Sequence, residues 1–290
     1  AKVNAVLVLI KIAALTAFIA IAVPAAQVEN FEPFLPTGMM GVYAAAASIF
    51  FAYVGFDAVS TAAEETKNPQ RNVPIGLIAS LGVCTIFYLL VGYGAAGAIG
   101  AQPMMGADGK ALAAGSAELI EACKGSETLV CTGEPLAHVL RMLGFAGFGN
   151  AIAVAAGLAL PSVILMMLFG QTRIFFVMSR DGLLPPLFSK VHPKYHTPHV
   201  VTMITGFIVS LFAAMFPVGI LADVSNSGTL FAFFLVALGV MVLRKTQPDR
   251  FRPFRTPLAW IVCPLAMAGC VFLFFNLSGN TEMMFFIWAA

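Results

Sequence analysis

The chain has 290 residues, of which 60% are hydrophobic and 10% are charged, and its formal net charge is +2. Soluble domains average roughly 25% charged residues, so this composition excludes a water-soluble domain. The apolar residues form long continuous runs, which predicts an all-α polytopic membrane protein with the lipid bilayer as its surroundings. No basic patch is interleaved with aromatic residues, so nucleic acid is not an expected partner.

The apolar runs divide the chain into successive spans of one transmembrane domain, residues 1–290. The predicted spans are 5–23, 39–63, 73–97, 145–178, 199–216, 221–243, 258–277 and 282–290. The last span is short and the chain begins without Met, so we expect a fragment of a longer protein. The third span is expected to begin at 73 because Pro74 falls in its first turn.

Positive charges are distributed unequally between alternate loops. One set consists of loops 67–71, 173–194 and 244–255, and the other of loops 24–38, 98–144, 217–220 and 278–281. The first set contains eleven Lys and Arg residues, and the second contains three. The positive-inside rule therefore places the first set in the cytoplasm and the second set outside.

Two cysteines lie in the long polar loop 100–141, which this topology makes extracellular. Cys123 and Cys131 could form a disulfide if the loop faces an oxidising compartment. Their spacing alone does not decide the pairing.

The second span contains residues that are unusual inside a membrane. Its apolar pattern is interrupted at 53–57, where Gly55 is followed two residues later by Asp57. Glycine is a poor helix former, and a carboxylate in the bilayer core needs a cavity or a partner. The pattern predicts a broken helix that lines a binding cavity. A kinked but continuous helix, with Asp57 near one interface, is the alternative.

Lys11 is the second charge within a predicted span. A lysine seven residues into a span can extend its side chain to the cytoplasmic face. Alternatively it faces the interior of the helix bundle, where burial makes a lysine able to gain and lose a proton. The sequence leaves both possibilities open.

Other polar groups carry weaker signals. Glu64 and Glu65 lie beside cations and predict a solvated ion-pair cluster. The three histidines at 192, 196 and 199 occupy a proline-rich loop without cysteine or carboxylate neighbours, so no metal site is predicted. The polar residues 226–229 serve either helix packing or an outer gate. Met167 and its neighbour are either core residues or the wall of a side-chain pocket.

Two motifs resemble those of a known family. FFAYVGFDAVSTAAEETKNPQRNVPIG at 50–76 and GQTRIFFVMSRDGLLP at 170–185 are similar to the amino acid–polyamine–organocation superfamily, and most of all to its bacterial cationic amino acid transporter branch. The resemblance covers nearly the whole chain. It implies the five-plus-five inverted-repeat fold, with the family's helices 5 to 12 present, the twelfth incomplete and the first four absent.

The resemblance also implies roles for individual residues. The substrate would lie against the unwound segment and against side chains of two other spans: Phe51, Ala52, Val54, Gly55, Phe56, Tyr93 and Met167. The main-chain carbonyls of the segment would hold the α-amino group, and Phe56 would close over it. Lys11 would be the proton-coupling residue. A bulky Met167 would favour small or neutral amino acids over arginine.

The function implied is secondary active transport of an L-amino acid, coupled to protons by alternating access, in a multi-pass protein of the bacterial inner membrane. The proton is the coupling ion and no cofactor is expected. A non-transporting sensor or subunit with the same fold is the alternative. An enzyme using Asp57 is disfavoured because no nucleophile or metal constellation accompanies it. The sequence does not specify the oligomeric state or the particular amino acid.

Overall fold

The protein is all-helical in the part of the chain that the structure describes, which confirms the predicted fold class. The structure is a computed structural model that describes residues 2–32, 34–35, 38–56, 66–100, 106, 112, 117–124, 128–195, 197–216, 218–252, 254–277 and 285. Its α-helices are α1 (Lys2–Ala22), α2 (Gly38–Ile49), α3 (Pro69–Ile99), α4 (Ala117–Ala122), α5 (Pro135–Met142), α6 (Ala146–Arg180), α7 (His199–Met215), α8 (Val218–Thr246) and α9 (Ala259–Phe274). Short 3-10 helices cover Val28–Phe31, Phe50–Tyr53 and Pro186–Ser189.

Four of these helices combine the length and the apolar composition needed to cross a membrane. They are Asn4–Ala22 within α1, together with α3, α6 and α8. A crossing needs about 20 residues, and α3, α6 and α8 contain 31, 35 and 29 residues. Three shorter apolar segments accompany them: Gly38–Tyr53, His199–Met215 and Ala259–Phe274. These lengths support a multi-pass membrane protein.

Prolines occupy helix interiors as well as helix ends. α3 begins at Pro69, four residues before the predicted start at 73, and Pro74 lies within the helix. The earlier start is possible because a proline at the first helical position lacks only an N–H that would have no partner in the helix. α6 continues through Pro161 as one helix, and its 35 residues extend about 52 Å at ~1.5 Å per residue.

Two apolar clusters join helices that are distant in sequence. In the first cluster, Phe18 and Ala22 of α1 pack with Val139 and Leu140 of α5 and with Ile152 of α6. In the second, Ala47 of α2, Leu230 of α8 and Leu277, just after α9, pack together. The first cluster fixes the C-terminal end of α1 against the N-terminal end of α6, and the second fixes the end of α2 against α8.

The loop between α3 and α6 is held together by covalent and polar contacts. Cys123 and Cys131 form a disulfide. Arg141 pairs with Glu134 at 2.9 Å and donates a hydrogen bond from Nε to Asn150 Oδ1 at 3.2 Å. These contacts bind the described part of the loop to the start of α6.

Candidate functional site

The second apolar span is not one continuous helix. α2 ends at Ile49 and is followed directly by the 3-10 helix Phe50–Tyr53. Val54 then adopts an extended conformation (φ −61°, ψ 132°), and Gly55 has φ +117°. The left-handed half of backbone space is readily open only to glycine, so Gly55 is the residue that permits this turn. The interruption lies where the sequence pattern was interrupted, and we call residues 50–56 the broken segment.

α3 contacts the broken segment through one tyrosine. The Tyr88 hydroxyl donates a hydrogen bond to the Ala52 carbonyl at 2.8 Å. The ring of Tyr88 packs edge-on against Tyr53, with centroids 5.2 Å apart. One residue of α3 therefore holds both the main chain and a side chain of the segment.

α8 contacts the segment through a phenylalanine, and it contacts the last turn of α2 through an asparagine. The Phe233 ring lies 6.2 Å from that of Phe50 and 5.3 Å from that of Phe56, so it contacts both ends of the segment. Asn226, which is fully buried, donates a hydrogen bond from Nδ2 to the Ala47 carbonyl at 3.2 Å. α8 thus packs along the last turn of α2 and the turn that follows it.

α6 reaches the segment at Gly55. A Cβ atom placed on Gly55 would collide with Cε, the terminal methyl of Met167. Gly55 is therefore constrained twice, by its positive φ and by the close approach of a side chain from another helix. Met167 thus lies against the broken segment.

Lys11 contacts another helix. Its Nζ donates a hydrogen bond to Ser162 Oγ of α6 at 2.7 Å, and the Ser162 hydroxyl donates to the Ala159 carbonyl at 2.7 Å. Ser162 is buried and Lys11 is half-buried. Of the two alternatives for Lys11, this contact supports the one that faces the helix bundle.

The structure brings most of the candidate substrate residues together. Phe51, Ala52, Val54, Gly55 and Phe56 form the broken segment, and Met167 lies on it. Tyr93 lies farther along α3, where its ring stacks on Phe31 with centroids 5.2 Å apart. The carboxylates at 57, 64 and 65 fall outside the described residues.

Sequence reasoning did not single out Tyr88 or Phe233, and it gave Asn226 only a general packing or gating role. An aromatic or amide side chain in an apolar span is a common feature, and its spacing does not reveal which main-chain group it faces. The one available signal for Asn226 was its position at the start of the polar cluster 226–229. An open cavity of about 290 Å³ adjoins that cluster, lined by Val224, Ser225, Gly228 and Thr229.

The histidine loop has an ordinary packing role in the part that the structure describes. His192 Nδ1 accepts hydrogen bonds from the backbone N–H groups of Lys194 and Tyr195, at 3.1 and 3.3 Å. Its ring packs edge-on against His199, 5.1 Å away. No group of three potential metal ligands forms among the described residues, and His196 falls outside them.

Comparison with known proteins places these features in a family. The profile of the amino acid permease family matches residues 1–289. The chain belongs to the amino acid permease family. The resemblance to the amino acid–polyamine–organocation superfamily is confirmed by this match.

Curated relatives cover nearly all of the chain. The branched-chain amino acid permease BcaP of Bacillus subtilis (strain 168) is 41% identical over 287 residues, which are 99% of this chain and 56% of the relative. The methylthioribose transporter of the same organism is 38% identical over 288 residues, 99% of this chain and 57% of the relative. The vacuolar cationic amino acid transporter 2 of Arabidopsis thaliana is 32% identical over 216 residues, 74% of this chain and 30% of the relative.

The chain therefore spans a little over half the length of the bacterial relatives that it matches. All three relatives carry names of transporters and none of an enzyme, in agreement with the prediction that the chain is not an enzyme. Their named cargoes differ in chemistry: branched-chain amino acids, methylthioribose and cationic amino acids.

Proposed function

We propose that the protein is a secondary transporter that moves an L-amino acid across the cell membrane of a bacterium by alternating access, coupled to protons. The substrate binds at 51–57, and the family membership together with the names of the relatives supports an amino acid as cargo. A non-transporting sensor with the same fold remains the alternative, and it would bind an amino acid without moving it.

The break in the second span is the observation that carries this proposal. A regular helix uses its own carbonyl and N–H groups, and a bilayer contains no water to replace those bonds. Where α2 gives way to an extended residue and to Gly55 at φ +117°, main-chain groups leave the regular pattern in the middle of an apolar span. Such groups can bind the ammonium and carboxylate of a small zwitterion.

Lys11 is the proposed coupling residue. Its ammonium bonds Ser162 Oγ across the interface between α1 and α6. Loss of the lysine proton would leave a neutral amine that holds the serine less strongly, since hydrogen bonds from charged donors are the stronger ones. A change of protonation would thus alter how α1 and α6 are held together.

The residue that lies against the broken segment supports a neutral cargo. Met167 lies directly on Gly55 and presents a terminal methyl group rather than a polar or anionic one. A neutral, apolar side chain fits this contact better than the guanidinium of arginine. Methylthioribose is a second candidate, because a relative named for its transport is 38% identical to this chain. It is a neutral sugar without an ammonium group, so the two cargoes would use the carbonyls differently.

Uptake into proteoliposomes tests the proposal. The protein, expressed at its full natural length, should accumulate radiolabelled leucine or alanine when an inward proton gradient is imposed, with arginine and methylthioribose taken up less. Accumulation that is indifferent to the gradient would contradict the proton coupling. Binding without uptake of any of these compounds would favour the sensor, and uptake of methylthioribose alone would favour the second candidate.

Lys11→Ala tests the coupling residue. The variant should bind the amino acid but lose gradient-driven accumulation, because the group that changes protonation has been removed. Lys190→Ala is the matched control, since Lys190 is exposed in the loop after α6. Full accumulation by Lys11→Ala would rule out this role for the lysine.

A further inference from the structure

Two side chains from different helices hold main-chain carbonyls on either side of the point where α2 ends. Asn226 Nδ2 donates to the Ala47 carbonyl at 3.2 Å, in the last turn of α2. Tyr88 Oη donates to the Ala52 carbonyl at 2.8 Å, in the 3-10 helix that follows. The donors belong to α8 and α3, so the segment is held from two directions.

These carbonyls are the groups that such a break leaves in need of donors. The last four carbonyls of an α-helix have no partner in the regular pattern. At the end of a helix in water, solvent can supply the missing donors, but inside a bilayer only protein groups can. Tyr88 and Asn226 therefore supply the Ala52 and Ala47 carbonyls with donors from other helices.

The burial of Asn226 indicates that its contact with α2 is specific. The residue is 0% exposed, and its Oδ1 atom has no hydrogen-bond partner within the described structure. The amide orientation follows from its neighbour, because a carbonyl can only accept and so must face Nδ2. An apolar residue of the same size would have no unpaired oxygen, so the folded protein would avoid the free-energy cost of burying one. The amide is therefore poorly explained by packing alone.

We propose that Tyr88 and Asn226 are positioning residues, which hold the broken segment in the shape that receives substrate. This inference rests on the proposed function. A carbonyl oxygen has two lone pairs, so the Ala52 carbonyl can accept the Tyr88 hydroxyl and still accept an N–H of the substrate ammonium. Tyr88 orients the Ala52 carbonyl, and Asn226 fixes the end of α2, from which the segment continues.

The aromatic contacts of the segment make the test specific. Tyr88→Phe removes only the hydroxyl and keeps the ring that packs on Tyr53. Asn226→Leu keeps a side chain of similar volume and removes the donor. Each change should raise KM for the amino acid roughly three- to tenfold, the effect of one neutral hydrogen bond, with a smaller change in maximal rate.

Matched controls come from hydroxyls on the same two helices that bond only within their own helix. Thr85 donates to the Leu81 carbonyl on α3, and Thr246 donates to the Val242 carbonyl on α8. Thr85→Val and Thr246→Val should leave KM within about twofold, since surface or locally bonded substitutions change free energies little. A rise in KM as large in the controls as in Tyr88→Phe and Asn226→Leu would overturn the proposal.

Competition by analogues separates positioning from general destabilisation. An α-hydroxy acid has the carboxylate and side chain of the amino acid but lacks the ammonium. In Tyr88→Phe, inhibition by the amino acid should weaken several-fold more than inhibition by its α-hydroxy analogue. Equal weakening of both would show that the hydroxyl supports the fold and does not position the carbonyl.

Amide hydrogen exchange in lipid nanodiscs provides a readout that does not depend on transport. In Tyr88→Phe and Asn226→Leu the amides of 50–56 should exchange faster than in the wild-type protein, and in the two threonine controls they should not. Unchanged exchange in Tyr88→Phe and Asn226→Leu would overturn the proposal even if the protein transports amino acids. Wild-type protein that neither binds nor transports an amino acid would refute the proposed function, and the positioning role with it, whatever the exchange shows.

Discussion

α2 and α6 both contain residues that disfavour a helix, but only the span that begins with α2 is interrupted. α6 contains Pro161, which lacks an N–H, and yet it continues from Ala146 to Arg180. The span of α2 contains no proline between 38 and 56, and it loses its helical form after Tyr53. α6 thus remains helical although Pro161 has no N–H to donate. The span of α2 does not remain helical through Gly55, because a positive φ is incompatible with a right-handed helix.

The neighbours of the two helices also differ. Next to Pro161, the Ser162 hydroxyl donates to the Ala159 carbonyl of its own helix and accepts one hydrogen bond from another helix, from Lys11 of α1. At the broken segment, donors and rings come from α3 and α8, and a methyl group comes from α6. The interruption of α2 is thus a tertiary feature, maintained by three other helices.

Among the predicted changes, Gly55→Ala should cause the largest loss of stability and uptake, because it alters the interruption itself. A Cβ would collide with Met167, and φ +117° is strained for any residue with a side chain. The backbone strain should destabilise the protein by about 1–3 kcal/mol and abolish most uptake, whereas the collision should add little because the flexible end of Met167 can move away. Thermal unfolding in detergent and proteoliposome uptake would measure both effects.

The control for Gly55→Ala is Gly157→Ala in α6, where a new Cβ meets no atom within 4 Å. That change should be neutral or stabilise by up to about 1 kcal/mol, because alanine is the better helix former. Combining Gly55→Ala with Met167→Ala should restore only the part lost to the collision. Complete recovery in the double variant would show that backbone conformation is not a constraint at Gly55.

Phe233→Leu should have an intermediate effect. It removes two ring contacts, to Phe50 and to Phe56, each worth about 0.5–1.5 kcal/mol. We expect a stability loss of about 1–2 kcal/mol and weaker substrate binding, measured by unfolding and by KM. Phe207→Leu on α7 is the control, since Phe207 is 71% exposed. Equal losses in the two variants would mean that the rings do not specifically hold the segment.

Pro161→Ala should have the smallest effect on uptake. α6 is already continuous, so the change adds one backbone donor, removes the proline ring and stabilises the helix by up to about 3 kcal/mol. Uptake should remain within roughly twofold of wild type. A large loss of uptake would indicate that α6, too, needs an interruption in order to function, and the contrast with α2 would disappear.

The sequence predicted the helical class and the place of the interruption, because apolar run length and a glycine followed by a carboxylate are local features. The partners of the broken segment were not predictable in this way. Tyr88 and Tyr93 lie five residues apart, about 140° around the same helix, so they face different neighbours. Sequence reasoning chose Tyr93 as a candidate substrate residue, whereas the tyrosine whose hydroxyl reaches the broken segment is Tyr88. Only the packing of α3 against the segment distinguishes them.

α1 and α6 are joined at two levels: by Lys11 and Ser162 near the middle of α1, and by Phe18, Ala22 and Ile152 toward the C-terminal end of α1. Two attachment points along one interface resist both sliding and rotation while Lys11 is charged, so in that state the pair is expected to move as one rigid unit. When Lys11 loses its proton, the apolar contact alone holds the two helices firmly. A spectroscopic distance between probes beside Phe18 and Ile152 should then stay constant during turnover, whereas one between probes beside Lys11 and Ser162 should change. Probes that link either helix to α2 would report the alternating access that we propose.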